Sequence, residues 1–231
     1  MSDPGKATGK PLEGWPELLL TAIIALAAVS TAWAGFQSAK WGGVQANSYA
    51  SANAARTEST RQSTEAGQQV TIDVISFTSW LEALQQEILE DPSKRPEGSY
   101  EPDPESLSGQ LFERFRSEFK PAVRAWLDTK PLANSKTAPP VPFAMPEYTL
   151  ATEEEAARLL AEAERNSANA RQANQRSDNY VLTAVLLALV LFFAAFTGKA
   201  RKGVNRWVLY GLTVVALLVA LGLLISYPVE I

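Results

Sequence analysis

Histidine and cysteine are absent from all 231 residues. Their absence removes thiol nucleophiles, disulfides, imidazole bases and the usual zinc ligands together. Ser, Thr, Tyr, Lys and carboxylates remain, and no recognisable catalytic grouping of them is present. An enzyme is not expected, and neither is a metal or any other cofactor. Charge is missing from three long stretches, Leu18–Phe36, Tyr180–Thr197 and Trp207–Tyr227. Each approaches the ~20 apolar residues needed to cross a hydrocarbon core of ~30 Å. Ion-coupled pumps and voltage sensors place ionisable residues inside the membrane, so uncharged spans argue against both. Proline is scarce outside one region: 10 of the 14 lie between Pro92 and Pro146, which predicts turns and extended segments there.

The charge that is present is divided. Between Gln37 and Asp178, 15 Lys/Arg face 21 Asp/Glu, a balance of −6. Such an acidic region gives no electrostatic reason to bind nucleic acid. The short segment Gly198–Arg206 carries Lys199, Arg201, Lys202 and Arg206 without an acid.

The chain is organised around the Pro-free stretch Glu17–Asp91. It starts as an apolar span with Trp15 as interfacial anchor and Pro16 suited to a first helical turn. Ala32-Trp33-Ala34 mimics a cleavage site, but the run is longer than a signal peptide's and lies far from the start, so a retained span is expected. The helical rhythm continues past it. Alternating steps of four and three select Ala39, Gly43, Ala46, Ala50, Asn53, Thr57, Thr60, Thr64, Gly67, Thr71 and Val74. All but the last are small or short and polar, a seam that lets helix backbones approach closely.

A second such seam precedes the second span: Leu159, Ala163, Asn166, Ala170, Ala173, Ser177, Tyr180 and Ala184. Aligning the membrane exits of two antiparallel helices puts Ala50 opposite Ala170, Ala46 opposite Ala173 or Asn174, and Asn53 near Asn166. The expected packing seam is therefore Ala39, Gly43, Ala46, Ala50, Asn53, Asn166, Ala170 and Ala173. Residues 40–67, at 1.5 Å per residue, would raise a head roughly 40 Å above the membrane.

The most distinctive local pattern is TAWAGFQSAKWGGVQA, residues 31–46. Small residues recur at Ala27, Thr31, Gly35, Ala39 and Gly43, while Trp33, Phe36 and Trp41 lie around the membrane exit. Close packing with an aromatic belt accounts for this. A conduit with Gln37 and Lys40 at its mouth is the sharper reading. With the three-span layout, this stretch resembles a broad set of uncharacterised bacterial membrane proteins that carry a Trp/Gln-rich juxtamembrane helix after the first span. The resemblance implies a bacterial origin and an envelope location, and it carries no activity.

Beyond the seam, Val70, Val74, Phe77, Leu81, Leu84 and Ile88, widened by Ile75 and Trp80, form an apolar stripe. Asp91-Pro92 should end that helix. Leu107, Leu111, Phe112, Phe115, Phe119, Val123, Trp126 and Leu127 form a second face at near-3.6 spacing, kinked or split by Pro121. Its aromatic part (Phe112, Phe115, Phe119, Trp126) is the candidate partner surface, and a polyproline-like segment at 138–147 would seal the head. Thr152-Glu153-Glu154-Glu155 matches a capping box that starts the returning helix, and Gly198 is its expected stop.

These readings give an all-α membrane protein with three transmembrane helices, two of them extended into an antiparallel helical stalk with a small helical head. The expected order is a disordered tail (1–14), transmembrane helix 1 (15–37), a stalk helix (38–69) and a Pro-rich helical head (70–150). A returning stalk helix (151–179), transmembrane helix 2 (180–198), a basic connector (199–206), transmembrane helix 3 (207–227) and a short C-terminal tail (228–231) follow.

The basic connector, with Lys6 and Lys10, places the N-terminus in the cytoplasm and residues 38–179 outside it, in a bacterial inner membrane. Lys40, Arg56, Arg165, Arg171 and Arg176 oppose that orientation, but long translocated loops obey the bias weakly. Lys40, Arg171 and Arg176 are the candidate contacts for anionic lipid headgroups. The expected partners are the lipid bilayer, further copies of the chain and a protein bound through the head. Two functions follow: a structural, scaffolding or partner-binding role, or a subunit of an oligomeric pore lined by helix 1 through Ser30, Thr31, Gln37 and the Thr57–Thr64 ladder.

Overall fold

A computed structural model describes residues 14–98, 100–133, 137–199 and 204–231. The expected tail, apart from its last residue, and positions 200–203 of the basic connector lie outside the described residues, as do Lys6 and Lys10. The regular elements of the described chain are all helical: α1 (Gly14–Glu90), α2 (Leu107–Glu113), α3 (Lys120–Asp128), α4 (Ala151–Lys199) and α5 (Val204–Ser226). Two 3₁₀ turns, Pro92–Lys94 and Pro142–Ala144, punctuate the proline-rich region, and no described residue is in a strand.

Helix limits follow local chemistry. Helix α1 stops one residue before Asp91-Pro92, and the Asp91 carboxylate caps the 3₁₀ turn by accepting from the Ser93 N–H at 3.0 Å. Pro121 splits the expected helix at 107–127, because it can sit only in the first turn of a helix; it opens α3. At the start of α4 the capping box is not made. Thr152 lies inside the first turn, and its hydroxyl donates instead to Gln69 Oε1 at 3.1 Å.

Three helices, α1, α4 and α5, are long and apolar enough to cross a membrane, and only 22, 28 and 17% of their apolar windows is buried. Leu18, Val29, Val181, Leu182, Trp207, Val215 and Leu218 are among the exposed side chains. An outward apolar belt of this size belongs in lipid.

The chain forms two compact units. The first comprises residues up to Ala52 together with Glu164–Ile231. Ala27, Leu187, Val190, Leu217 and Ala220 form its core. Leu20 lies beside Gly198, where even a Cβ would make only ordinary van der Waals contact with it. At the same end the Tyr210 hydroxyl donates to the Pro16 carbonyl at 2.6 Å. Thr183, Thr197 and Thr213 are buried and donate to the carbonyls of Asn179, Phe193 and Leu209 within their own helices. With no water in the hydrocarbon, such back-bonding satisfies each hydroxyl.

The second unit, Asn53–Ala163, is built on rings. Phe77, Trp80 and Leu84 of α1 meet Phe112, Phe115, Phe119, Val123, Trp126 and Leu127, with Tyr100, Phe143, Met145 and Tyr148 packed against them. Phe77 presents edges to Phe119, Trp126 and Phe143, and Phe119 stacks on Phe143 at 5.3 Å, the offset and edge geometries that ring quadrupoles favour. The indole N–H of Trp126 donates to the Pro139 carbonyl at 2.8 Å, which fixes the segment after α3 over the core. Gly109 is required at its position, since a Cβ there would overlap the Asp103 backbone.

Candidate functional site

Both units bury polar groups, and these groups are the chemical features of the molecule. In the first unit the centre is Gln37, fully buried on α1. Its side-chain amide pairs with the backbone of Glu230 in both directions: Nε2 donates to the carbonyl at 3.1 Å, and Oε1 accepts from the N–H at 2.9 Å. Trp41 Nε1 and the Tyr180 hydroxyl both donate to the Pro228 carbonyl, at 3.1 and 3.2 Å. Tyr227 presents its edge to Tyr180. The segment after α5 is therefore a strap held by four hydrogen bonds to α1 and α4. The Arg176 guanidinium lies 4.4 Å above the Trp41 ring.

The second unit buries a charge. Asp73, on α1, is 1% exposed and receives both Nε and Nη2 of Arg116, at 3.0 and 2.7 Å. The Tyr148 hydroxyl adds a third donor at 3.1 Å. Arg116 also reaches Glu118 at 2.9 Å and Gln69 at 3.4 Å, and Gln69 accepts from Thr152. One network thus joins α1, the α2–α3 turn, the segment after the second 3₁₀ turn and the start of α4. Hydrogen bonding to Asp73 raises the Arg116 pKa. Burial first, and then the Asp73 carboxylate, push the Tyr148 hydroxyl up to about 12. A smaller network nearby uses Glu87, whose carboxylate accepts from the Ser108 N–H at 2.8 Å and hydroxyl at 2.7 Å. No described group of His, Cys, Asp or Glu has a metal-binding arrangement.

The expected packing seam divides. On α4, Ala170 and Ala173 are buried and Asn166 is half-buried. On α1, Ala39, Gly43, Ala46, Ala50 and Asn53 are all exposed, as are Thr57, Thr60, Thr64, Gly67 and Thr71. Over residues 34–73, the buried residues of α1 are Ala34, Gln37, Trp41, Ala52, Ala55, Ser59, Ala66 and Asp73. This corrects the α1 half of the seam, which lies on the opposite face. The register also differs: Ser38 meets Ser177, five residues short of the Leu182 that the expected alignment gives, and Ala50 does not face Ala170.

The candidate partner surface is corrected as well. Phe112, Phe115, Phe119 and Trp126 are 0, 5, 0 and 3% exposed, because residues 100 and 143–148 cover the rings that two helices alone would leave open. Of the headgroup candidates, Arg171 is exposed, Lys40 is half-buried in a cavity of about 280 Å³ shared with Asn47 and Glu230, and Arg176 is stacked on Trp41. The hydroxyls of Thr31, Thr57, Thr60 and Thr64 donate to carbonyls of α1 itself.

Asp73, Arg116 and Tyr148 were not among the residues singled out from sequence. A signal existed: Asp73 stands at helical spacing from Phe77, Trp80 and Leu84, an acid inside an apolar stripe. Comparison with known protein families, curated proteins and solved structures finds no match to this chain.

Proposed function

We propose that the chain is a membrane-anchored stalk-and-head protein with a structural, scaffolding or partner-binding role, acting as a homo-oligomer. The observation that supports this best is the continuity of α1 and α4, which run unbroken from uncharged apolar stretches into a region with its own aromatic core. In this reading Ser59, which donates to the Ala156 carbonyl at 2.7 Å, belongs to an antiparallel helical stalk. The basic residues between the last two spans orient the N-terminus to the cytoplasm and residues 38–179 to the other side of a bacterial inner membrane.

Further copies would use the outward face of α1, which carries the exposed seam residues Ala39, Gly43, Ala46 and Ala50 and, further on, Thr71, Val74 and Ile75. The pore alternative draws less support. Gln37 is engaged with Glu230, and the ladder hydroxyls are engaged with their own helix.

Cysteine labelling tests the topology. Ser117 is exposed and serves as the labelling site in the head. Ser117→Cys is labelled by an impermeant thiol reagent in intact cells and Ala200→Cys is not; the reverse pattern would make the head cytoplasmic. Sizing of the full chain in detergent tests the assembly, and a stable monomer removes both the oligomeric role and the pore.

A further inference from the structure

We infer that Arg176, plated on Trp41, is a binding site for the phosphate of an anionic phospholipid headgroup; this rests on the membrane reading above. Depth is the first argument. The dense run of exposed apolar side chains on α1 ends at Phe36, and that on α4 begins at Val181. Trp41 and Arg176 each lie five residues beyond those limits, about 7–8 Å along a helix. The headgroup layer is about 5–7 Å thick on each side of the hydrocarbon. Both residues therefore lie at the outer edge of the headgroup layer, within reach of lipid phosphates.

Donor geometry is the second argument. The other arginines with described carboxylate contacts, Arg61, Arg116 and Arg158, each direct their N–H groups at Glu or Asp. Arg176 has no protein acceptor among the described residues. Its guanidinium lies over the face of the Trp41 ring at 4.4 Å, a cation–π contact that does not consume the N–H donors.

The nearest carboxylate in sequence, Asp178, accepts from Asn174 at 3.0 Å. Trp41 is itself fixed, 5% exposed with its N–H on the Pro228 carbonyl, so the plate cannot turn away. An oriented guanidinium edge is the geometry that takes two phosphate oxygens at once. Lys40 lacks it, sharing its cavity with Glu230, and Arg171 is exposed with no ring beneath it.

The test uses the full chain in detergent, with retained phosphatidylglycerol and phosphatidylcholine counted by native mass spectrometry. The wild type prefers phosphatidylglycerol by about tenfold, the scale of one charge-assisted bidentate contact. Arg176→Gln brings the ratio close to one. Trp41→Leu, which keeps the charge and removes the plate, does the same, while Arg171→Gln leaves the preference intact.

A wild-type ratio near one overturns the site whatever the variants do, and so does an unchanged ratio in folded Arg176→Gln. Displacement of phosphatidylglycerol by inorganic phosphate would make it a free-phosphate site and overturn the lipid assignment. Recovery of the chain in the soluble fraction of a lysate would instead defeat the membrane reading; a membrane-integrated chain without lipid preference defeats the headgroup site alone.

Discussion

The two compact units solve the same problem, a polar side chain out of water, by different chemistry. Among the described residues, the polar residues that are buried as a whole in the unit of the spans are neutral. Thr183, Thr197 and Thr213 bond to their own helices, and Gln37 bonds to a backbone amide and carbonyl. The unit Asn53–Ala163 buries a carboxylate, Asp73, and satisfies it with a guanidinium whose side chain is still 22% exposed. A half-hydrated partner is available beside water and unavailable in hydrocarbon, where an ionised group has no such escape. The choice of buried polar group therefore records the solvent outside each unit.

The largest effect that sharpens this contrast is expected in the aromatic core. Trp80→Ala empties a fully buried site that touches Tyr100, Phe112 and Phe115, and it should cost ~3–5 kcal/mol in denaturant melts of the second unit. A melt unchanged by this truncation would mean that the rings do not carry the fold.

Next comes the seam. Ala170→Leu should destabilise the spans' unit by ~1–3 kcal/mol through overpacking. Ala50→Leu, on the exposed face of α1, should leave chain stability nearly unchanged. Equal losses in thermal melts would place Ala50 in the packed interface after all.

A smaller loss is expected for Gln37→Leu, which keeps volume and removes two hydrogen bonds of ~0.5–1 kcal/mol each. Faster proteolysis after Tyr227 would report the released strap, and an unchanged digest would deny the strap its anchor.

The smallest effect is a pH slope. Tyr148 has its pKa raised to about 12 against about 10 unfolded, so the native state holds a proton that the unfolded chain releases. Its contribution is complete below pH 10 and is lost as pH rises from about 10 to about 12. Tyr148→Phe should flatten stability across that window while the wild type declines; parallel curves would remove Tyr148 from the network's energetics.

The returning helix was readable from sequence because its faces contrast. Leu159 and Tyr180 mark one side, while Glu153 and Arg171 mark the other. Helix α1 offers no such contrast. Ala39, Gly43, Ala46 and Ala50 on one face are matched by Ala52, Ala55, Ser59 and Ala66 on the other, so size alone favours neither. An error of two residues turns a helix by about 200°, which is enough to exchange its faces.

The helix break at Asp91-Pro92 and the split at Pro121 were legible because proline acts locally. The strap and the Asp73 network were not, since each depends on partners 193 and 43 residues away.

The separation of 193 residues between Gln37 and Glu230 has a consequence in time. At ~5–20 residues per second, a ribosome that has made Gln37 needs roughly 10–40 s more to make its partner. Throughout that interval α1 carries an amide that only a much later part of the chain will occupy. Insertion of the first helix and closure of the bundle are therefore separate events. A ribosome stalled before Pro228 leaves the first exposed to whatever else in the membrane can hydrogen-bond.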